Sequence, residues 1–466
     1  MIDFSCTNEN FRNDLMELIR AFEQRTDETL SLCVGYVVRE RELKVELRSD
    51  KFDNFVKFRA FPFAPADDME AKRLTKRYLK IAIYDTLVFL TGVELPYGCL
   101  TGIRPTKLYA ELGEGAHDVF KKDFFVRQEK LELIERIVDA QRGKRNPDPE
   151  RVADLFVFIP FCPTRCAYCS FVSMPVDRQR KLLRPYTDCL LQEISYLKKT
   201  AKKRGYTFRA VYIGGGTPTA LPLDMLDEVL SAAAVRGVKE FTVEAGRPDT
   251  ITPEALELLK KRGVKRISVN PQTFNDATLE RIGRRHTSAD VERAYALAKK
   301  AGFDVNMDLI AMLPGESAED FFRSVDRAAE LAPANVTVHT LYLKKGSALR
   351  VEGYKNTENA TAERMVDYAC RKLTEAGYEP YYMYRQKYTS GNLENVGYTK
   401  PGKACLYNMD IMEEDTTVFA AGAAAISKKV TPAVNLIERC ANYKEPLEYV
   451  KHFDTVMAKQ KAFWGV

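Results

Sequence analysis

The sequence predicts an α/β protein whose central part is a partial or open (β/α)6 barrel of the TIM type. Three observations carry that prediction. Six short β-rich apolar runs alternate with amphipathic helical stretches between residues 155 and 343. Such alternation implies parallel strands joined by right-handed helical crossovers. No G-x-G-x-x-G fingerprint opens the first unit, which favours a barrel over a doubly wound sheet. Polar and glycine-rich groups follow directly on several strand ends, where barrels of this kind carry their active sites. An α+β domain is expected before this core and a small domain after it, with bounds 1–145, 150–350 and 351–466.

The elements follow in order. "SLCVGYVV" and "LKVELRS" read as a strand pair, and "FPFAPADD" as a break. Asp67 or Asp68 can cap a helix to about Leu90, with Leu74, Tyr78, Ile81 and Val88 on one face and Gly92 as its stop. "LPYGCLTGIRPTKLYAEL" is a Gly/Pro-rich loop running into a helix, and another helix is expected over about 119–140. "QRGKRNPDPE" is polar, charged and proline-containing, as a linker would be.

The core then begins. "LFVFI" (155–159) leads into a cysteine-bearing loop and a helix to about Lys199. "AVYI" (210–213) leads into "GGGTPT" and a helix. "EFTVEA" (240–245) is followed by Thr252-Pro253, a cap with proline at the first helical position. "RISVN" (266–270) precedes two helices. "DVNMDLI" (304–310) precedes a helix capped by Ser317 with Asp320 three residues on. "NVTVHTLYL" (335–343) closes the series, and a helix over about 360–376 leads into a Tyr-, Gly- and Asn-rich stretch.

Composition narrows the function classes. Among 466 residues, 71 are basic and 65 acidic, a net charge of +6. That excess fits an ordinary solvated surface and demands no nucleic-acid partner. No apolar run reaches the length of a membrane span. The polar, acidic start "MIDFSCTNENFRND" lacks the pattern of a signal peptide, so a cytoplasmic location is expected. There, ten cysteines are not a disulfide framework. Seven are scattered and read as small buried hydrophobes.

The other three sit in "FIPFCPTRCAYCSF", where Cys162, Cys166 and Cys169 are spaced C-x3-C-x2-C with Tyr168 before the last. Thiolates bind zinc, or iron in an iron–sulfur cluster. A structural zinc site takes four ligands, and this loop offers three. A cubane cluster accepts three, leaving its fourth iron open for a ligand. The bland alternatives are a zinc site completed from elsewhere, or inert thiols. Other polar groups fall at the same mouth: Gly214-Gly215-Gly216-Thr217 after strand two, Glu244 ending strand three, Gln272 after strand four and Asp308 near the end of strand five. Taken alone, Glu244 and Asp308 could be a helix cap and a surface acid.

With these residues in view, the chain resembles the radical S-adenosylmethionine (SAM) superfamily. "IPFCPTRCAYCSF", "GGGTPT", "PQTFNDATLERIGRRH" and "MDLIAMLPGES" are similar to the oxygen-independent coproporphyrinogen III oxidase branch. "LTGIRPTK" and "YRQKYTSGNLENVGY" resemble its HemZ-type subgroup. The resemblance implies that Cys162, Cys166 and Cys169 hold a [4Fe–4S] cluster whose open iron binds SAM. It implies that Gly215, Gly216, Thr217 and Glu244 position the methionyl part, and that Tyr168 lies beside the cluster and the adenine. Phe156 joins the cofactor-contacting set. Gln272, Arg284 and Asp308 match positions that bind a second SAM or cosubstrate. The implied activity is an oxidoreductase of porphyrin and haem biosynthesis, a coproporphyrinogen dehydrogenase that turns two propionates into vinyl groups. A low-potential electron donor of the flavodoxin or ferredoxin class is then needed.

A tetrapyrrole with four propionates needs cationic partners. The candidates are Arg385 and Lys387, with Arg247, Lys344 and Lys345 behind them. The pattern departs at Phe158, where the oxidases often have His, and at Phe171, where they often have a fourth cysteine. The competing expectations are a haem-binding or haem-delivery protein of the same branch, a radical SAM enzyme with another substrate, and a zinc-stabilised nucleic-acid-binding protein.

Overall fold

The computed structural model describes all residues except 53–54, 170, 344–346, 352, 355–357, 387–388, 435 and 466. The chain divides into two compact units. Unit one is Met1–Val138 with Thr357–Glu363 and Tyr384–Glu394; unit two holds the rest.

Unit one is built on a four-stranded sheet in the order β1 (Ile2–Cys6), β2 (Leu30–Arg39), β3 (Glu42–Ser49) and β4 (Phe55–Pro62). β1 runs parallel to β2, and the other neighbours are antiparallel. Alternation sends Leu30, Leu32 and Val34 of β2 and Leu43, Val45 and Leu47 of β3 into the core. Helices α1 (Glu9–Glu23) and α2 (Asp68–Thr91) supply the facing apolar side chains, among them Leu18, Phe22, Leu79 and Leu87. Asp67 caps α2 by accepting from Glu70 N at 2.7 Å, and Gly92 ends it at φ +69°. The expected strand pair is thus two strands of four, and the expected break at "FPFAPADD" begins two residues too early, since Phe61 and Pro62 still belong to β4. The helix expected over 119–140 is also interrupted. A π-helical turn (Val119–Asp123) and the left-handed Phe125 precede the helix Gln128–Gln141.

Unit two contains six parallel strands that are consecutive neighbours: β5 (Val152–Ile159), β6 (Thr207–Gly215), β7 (Glu240–Val243), β8 (Arg266–Ser268), β9 (Asp304–Ala311) and β10 (Asn335–Thr340). Each is the apolar run expected from the sequence. The crossovers include α3 (Arg180–Lys203), α4 (Leu223–Ala233), α5 (Pro253–Lys261), α6 (Ser288–Lys300) and α7 (Ala318–Leu331). Strand residues such as Leu155, Val157, Val211 and Ile213 are fully buried with Leu190, Ile194 and Leu197 of α3. The predicted caps are present: Thr252 accepts from Ala255 N, and Ser317 with Asp320 forms a reciprocal capping box.

The sheet continues past the six strands. On one side β11 (Glu379–Arg385) and β12 (Glu394–Thr399) extend it, β12 lying antiparallel to β10. On the other side β13 (Thr417–Ala421) pairs parallel with β5, followed by β14 (Ile426–Thr431) and β15 (Leu436–Ala441). Among the described residues, eleven strands form one open sheet. Residues 395–466 therefore share a compact unit with the core, whereas the sequence suggested a separate third domain. Glu193 of α3 is one reason. Its buried carboxylate accepts from Gly422 N, Tyr449 OH, Asn442 Nδ2 and Gln460 Nε2 at 2.7–3.1 Å. No helix among the described residues is long and apolar enough to cross a membrane.

Candidate active site

The loop after β5 carries the three cysteines and is tied down on several sides. Phe161 and Cys162 pair with Met174 and Pro175, closing the loop at its base. Gly216 N donates to Ile159 O at 2.7 Å and Thr217 N to Phe161 O at 2.8 Å. Ala167 N donates to Ile282 O at 3.0 Å. Cys162, Cys166 and Cys169 are all half-buried. Burial pushes the Cys162 thiol up to about 11, opposed by the Thr217 hydroxyl, which donates to Cys162 Sγ at 3.5 Å. Burial likewise raises Cys169, opposed by a backbone bond at Phe171. Such thiols stay protonated unless a metal charge compensates, and a coordinating metal deprotonates them outright.

The donor set decides what could sit there. Among the described residues no group of three or more His, Cys, Asp or Glu side chains converges on one ion. Three thiols spread along one loop suit a cluster in which each binds its own iron. Gly216 leaves the necessary room. A Cβ there would lie 2.6 Å from Phe161 O and 3.0 Å from Cys162 Sγ. Gly215 takes φ +106°, a conformation open to glycine, with the Phe158 ring packed where a Cβ would stand.

Glu244 follows β7 and accepts from Tyr212 OH at 2.6 Å and from Gly215 N at 3.0 Å. Burial raises its carboxyl to about 7, against the lowering effect of those two donors. Phe156 stacks on Tyr407 (5.8 Å, 12°), which stacks on Tyr212 (4.3 Å, 21°), so an aromatic row backs the Glu244 partner. Tyr407 belongs to α9 (Leu406–Glu413); α8 (Asn359–Glu375) precedes β11. Arg284 is buried, donates to Asn270 O, and bonds Tyr168 and Cys166, joining the end of β8 to the cysteine loop. Asp308 accepts from Asn270 Nδ2 at 2.8 Å, and its carbonyl accepts from Gln272 N at 2.8 Å. Gln272 sits at φ +68°. Asn270 Oδ1 and Gln272 Oε1 are buried without a hydrogen-bond partner among the described residues, a state that suits a polar ligand.

The strand-end residues are therefore tied into one neighbourhood, and of the cation candidates Arg247 reaches the cysteine loop. Arg247 is 3% exposed and clamped, donating to Thr164 Oγ1 at 2.9 Å and to both Asp249 oxygens. Arg385 lies in unit one at 8% exposure. Its guanidinium donates to Leu100 O and twice to Asn392 O, and covers the Tyr97 ring at 4.1 Å. Lys387, Lys344 and Lys345 lie outside the described residues. Sequence reasoning missed Tyr212, Asn270 and Tyr407. The two-residue period of β6 could have found Tyr212, which shares a strand face with Gly214.

A model of the radical SAM superfamily matches residues 156–328. The oxygen-independent coproporphyrinogen-III oxidase-like protein HemZ of Bacillus subtilis (strain 168) is 37% identical over 457 residues, 94% of this chain and 90% of that protein. The heme chaperone HemW of the same organism is 35% identical over 202 residues, 41% of this chain and 50% of that protein. Among solved structures, the coproporphyrinogen III oxidase HemN of Escherichia coli, described as a radical SAM enzyme, superposes with a TM-score of 0.53 at 23% identity. It covers 68% of this chain and 72% of that one, a likeness of fold.

Proposed function

The chain belongs to the radical SAM superfamily, in its coproporphyrinogen III oxidase-like, HemZ-type branch, and we propose that it is the oxidoreductase that decarboxylates coproporphyrinogen III to protoporphyrinogen IX without oxygen. Members of this family use a [4Fe–4S] cluster and SAM, which together supply one-electron cleavage and hydrogen abstraction from an unactivated C–H bond. Cys162, Cys166 and Cys169 would hold the cluster. Gly215, Gly216, Thr217 and Glu244 would orient the methionyl end of SAM, with Tyr168 and Phe156 on its apolar side. Gln272, Arg284 and Asp308 would bind a second SAM or cosubstrate. The C-terminal residues would cover the substrate side.

One observation carries the SAM part of this reading. Glu244, at a strand end, is a half-buried carboxylate whose two donors leave acceptor capacity for a cationic ligand. The substrate class is supported by the similarity to HemZ over nearly the whole chain. Each propionate gives up CO2, a hydrogen atom and one electron to leave a vinyl group. The reaction therefore needs an electron acceptor, besides a low-potential donor of the flavodoxin or ferredoxin class to start it. Its place would be the cytoplasm.

The test is one anaerobic reaction with iron- and sulfide-reconstituted protein, SAM, a low-potential reductant and coproporphyrinogen III. Mass spectrometry should find 5′-deoxyadenosine with products lighter by one and by two CO2. If 5′-deoxyadenosine forms while the porphyrinogen is untouched, the substrate assignment fails. Stoichiometric haem binding without turnover would move the chain to haem delivery.

A further inference from the structure

We propose that unit two carries a second ligand site, a cavity for a small organic polyanion: an apolar or aromatic body bearing two or more carboxylate or phosphate groups. The cavity is an open one of about 540 Å3, in the size range of small-molecule sites. It opens at the N-terminal ends of the strands. Val152 begins β5, Thr207 begins β6, and Lys239 directly precedes β7. The cysteine loop follows the other end of β5, so radical chemistry does not account for this cavity.

Its lining is one-signed. Lys198, Lys202, Arg209, Arg236 and Lys239 face it, and none of the described residues lining it is acidic. Arg209 is neutralised by Asp410 at 3.1 Å. The other four form no ion pair among the described residues. Lys198 directs its ammonium at Ala232 O and Ala234 O, both at 2.7 Å, and burial lowers its affinity for a proton. Lys202, Arg236 and Lys239 are exposed. The same helix layer does pair its cations elsewhere: Arg184 of α3 bonds Glu228 of α4, and Arg262 bonds Asp227. Carboxylates are thus available on α4 yet absent from this end. Four like charges around one concavity repel one another until an anion enters.

The floor is apolar. Tyr206 and Phe208 pack edge-on against Phe419 of the core, and Val152 and Val235 complete the surface. A cationic rim over an aromatic and aliphatic floor suits a flat or apolar body with charged arms better than it suits bare inorganic phosphate. The inference stands independently of the reaction proposed above.

Two probes share the required chemistry from different sources. Coproporphyrin III carries carboxylates on a flat ring, and ATP carries phosphates on a planar base. Titration at low salt should show one of them binding the wild-type protein, and binding the Cys162→Ala/Cys166→Ala/Cys169→Ala variant equally. Lys202→Glu/Arg236→Glu/Lys239→Glu changes only exposed side chains. It should weaken binding by at least about a hundredfold while SAM cleavage is unchanged. The probe that binds identifies the charged group. As a second readout that needs no variant, the bound probe should protect Lys202 and Lys239 from acetylation. The proposal is overturned if neither probe binds, if the charge reversal leaves binding intact, or if pyrophosphate alone binds as tightly.

Discussion

Replacing Gly216 with alanine should deprive the protein of iron, whereas the same change at Gly214 should spare the iron and weaken SAM binding. At Gly216 the new methyl would stand 2.6 Å from Phe161 O, 2.9 Å from Ile159 O and 3.0 Å from Cys162 Sγ. Both carbonyls are already held, by Thr217 N at 2.8 Å and Gly216 N at 2.7 Å. The methyl must gain at least about 0.4 Å from Phe161 O to reach a tolerated contact, so the strain passes to the cysteine loop. Overpacking of this kind costs roughly 1–3 kcal/mol, about a five- to 150-fold loss if it falls on the cluster-bound form. At Gly214 the methyl instead meets the Glu244 carboxyl at 2.7 Å and the Tyr212 ring at 2.8 Å. Those are side chains and not the carbonyls of the cysteine loop, so the strain falls on the Tyr212–Glu244 pair and leaves the thiols alone. Iron and sulfide counts after anaerobic reconstitution, followed by SAM titration, separate the two variants. A Gly216→Ala protein with a full complement of iron, or the two losses in the reverse order, would refute the reasoning.

Three further outcomes follow from particular contacts. Glu244 has its carboxyl raised to about 7 by burial, so SAM affinity should fall as the pH drops through 7 and the charge is lost. Tyr212→Phe removes a donor that favours the charged form, which should move that inflection to higher pH; an unmoved inflection counts against the assignment. Glu193→Ala strands four buried donors and should lower stability by about 4 kcal/mol or more in chemical denaturation. Arg385→Ala leaves Leu100 O and Asn392 O without their donor and uncovers Tyr97, for a loss of about 3 kcal/mol with SAM cleavage per folded molecule retained. Unchanged stability with lost porphyrinogen turnover would return Arg385 to the substrate site.

The parallel core was legible because its signals are local. A strand buried on both faces is a short apolar run, and a crossover helix announces itself by a cap such as Thr252-Pro253 or Ser317 with Asp320. The cysteine loop was legible because three thiols in eight residues have few other uses. What was missed depends on partners far along the chain. Nothing within Thr417–Ala421 tells that it will lie beside β5, since the pairing is with residues more than two hundred and fifty positions earlier. β1 alternates cleanly but is only five residues long, and β4 went unread for a local reason. The exposed face of β4 carries Val56 and Phe58, so its apolar residues do not alternate cleanly with polar ones. Arg385 was read as a cation for substrate carboxylates, and its bonds to Leu100 O and Asn392 O were not legible, because a sequence does not show which backbone carbonyls will surround a guanidinium.

Three glutamates make the same point about the site. Glu193, Glu240 and Glu244 are alike in the sequence, each beside apolar residues in the core region. A carboxylate has about four acceptor positions. Glu193 fills four with neutral donors. Glu240 accepts from Leu406 N, Tyr407 N and Cys405 Sγ at the start of α9, with Arg266 at 3.9 Å. Both are completed by the protein, and both hold the C-terminal stretch to the core. Glu244 alone of the three receives two donors and is left half-buried at a strand end. Burial raises the proton affinity of the Glu244 carboxyl, and its two donors oppose that only in part. A cationic group arriving at that end of β7 would oppose it further. The tendency to bind there is thus set by what the fold withholds from Glu244 and gives to the other two.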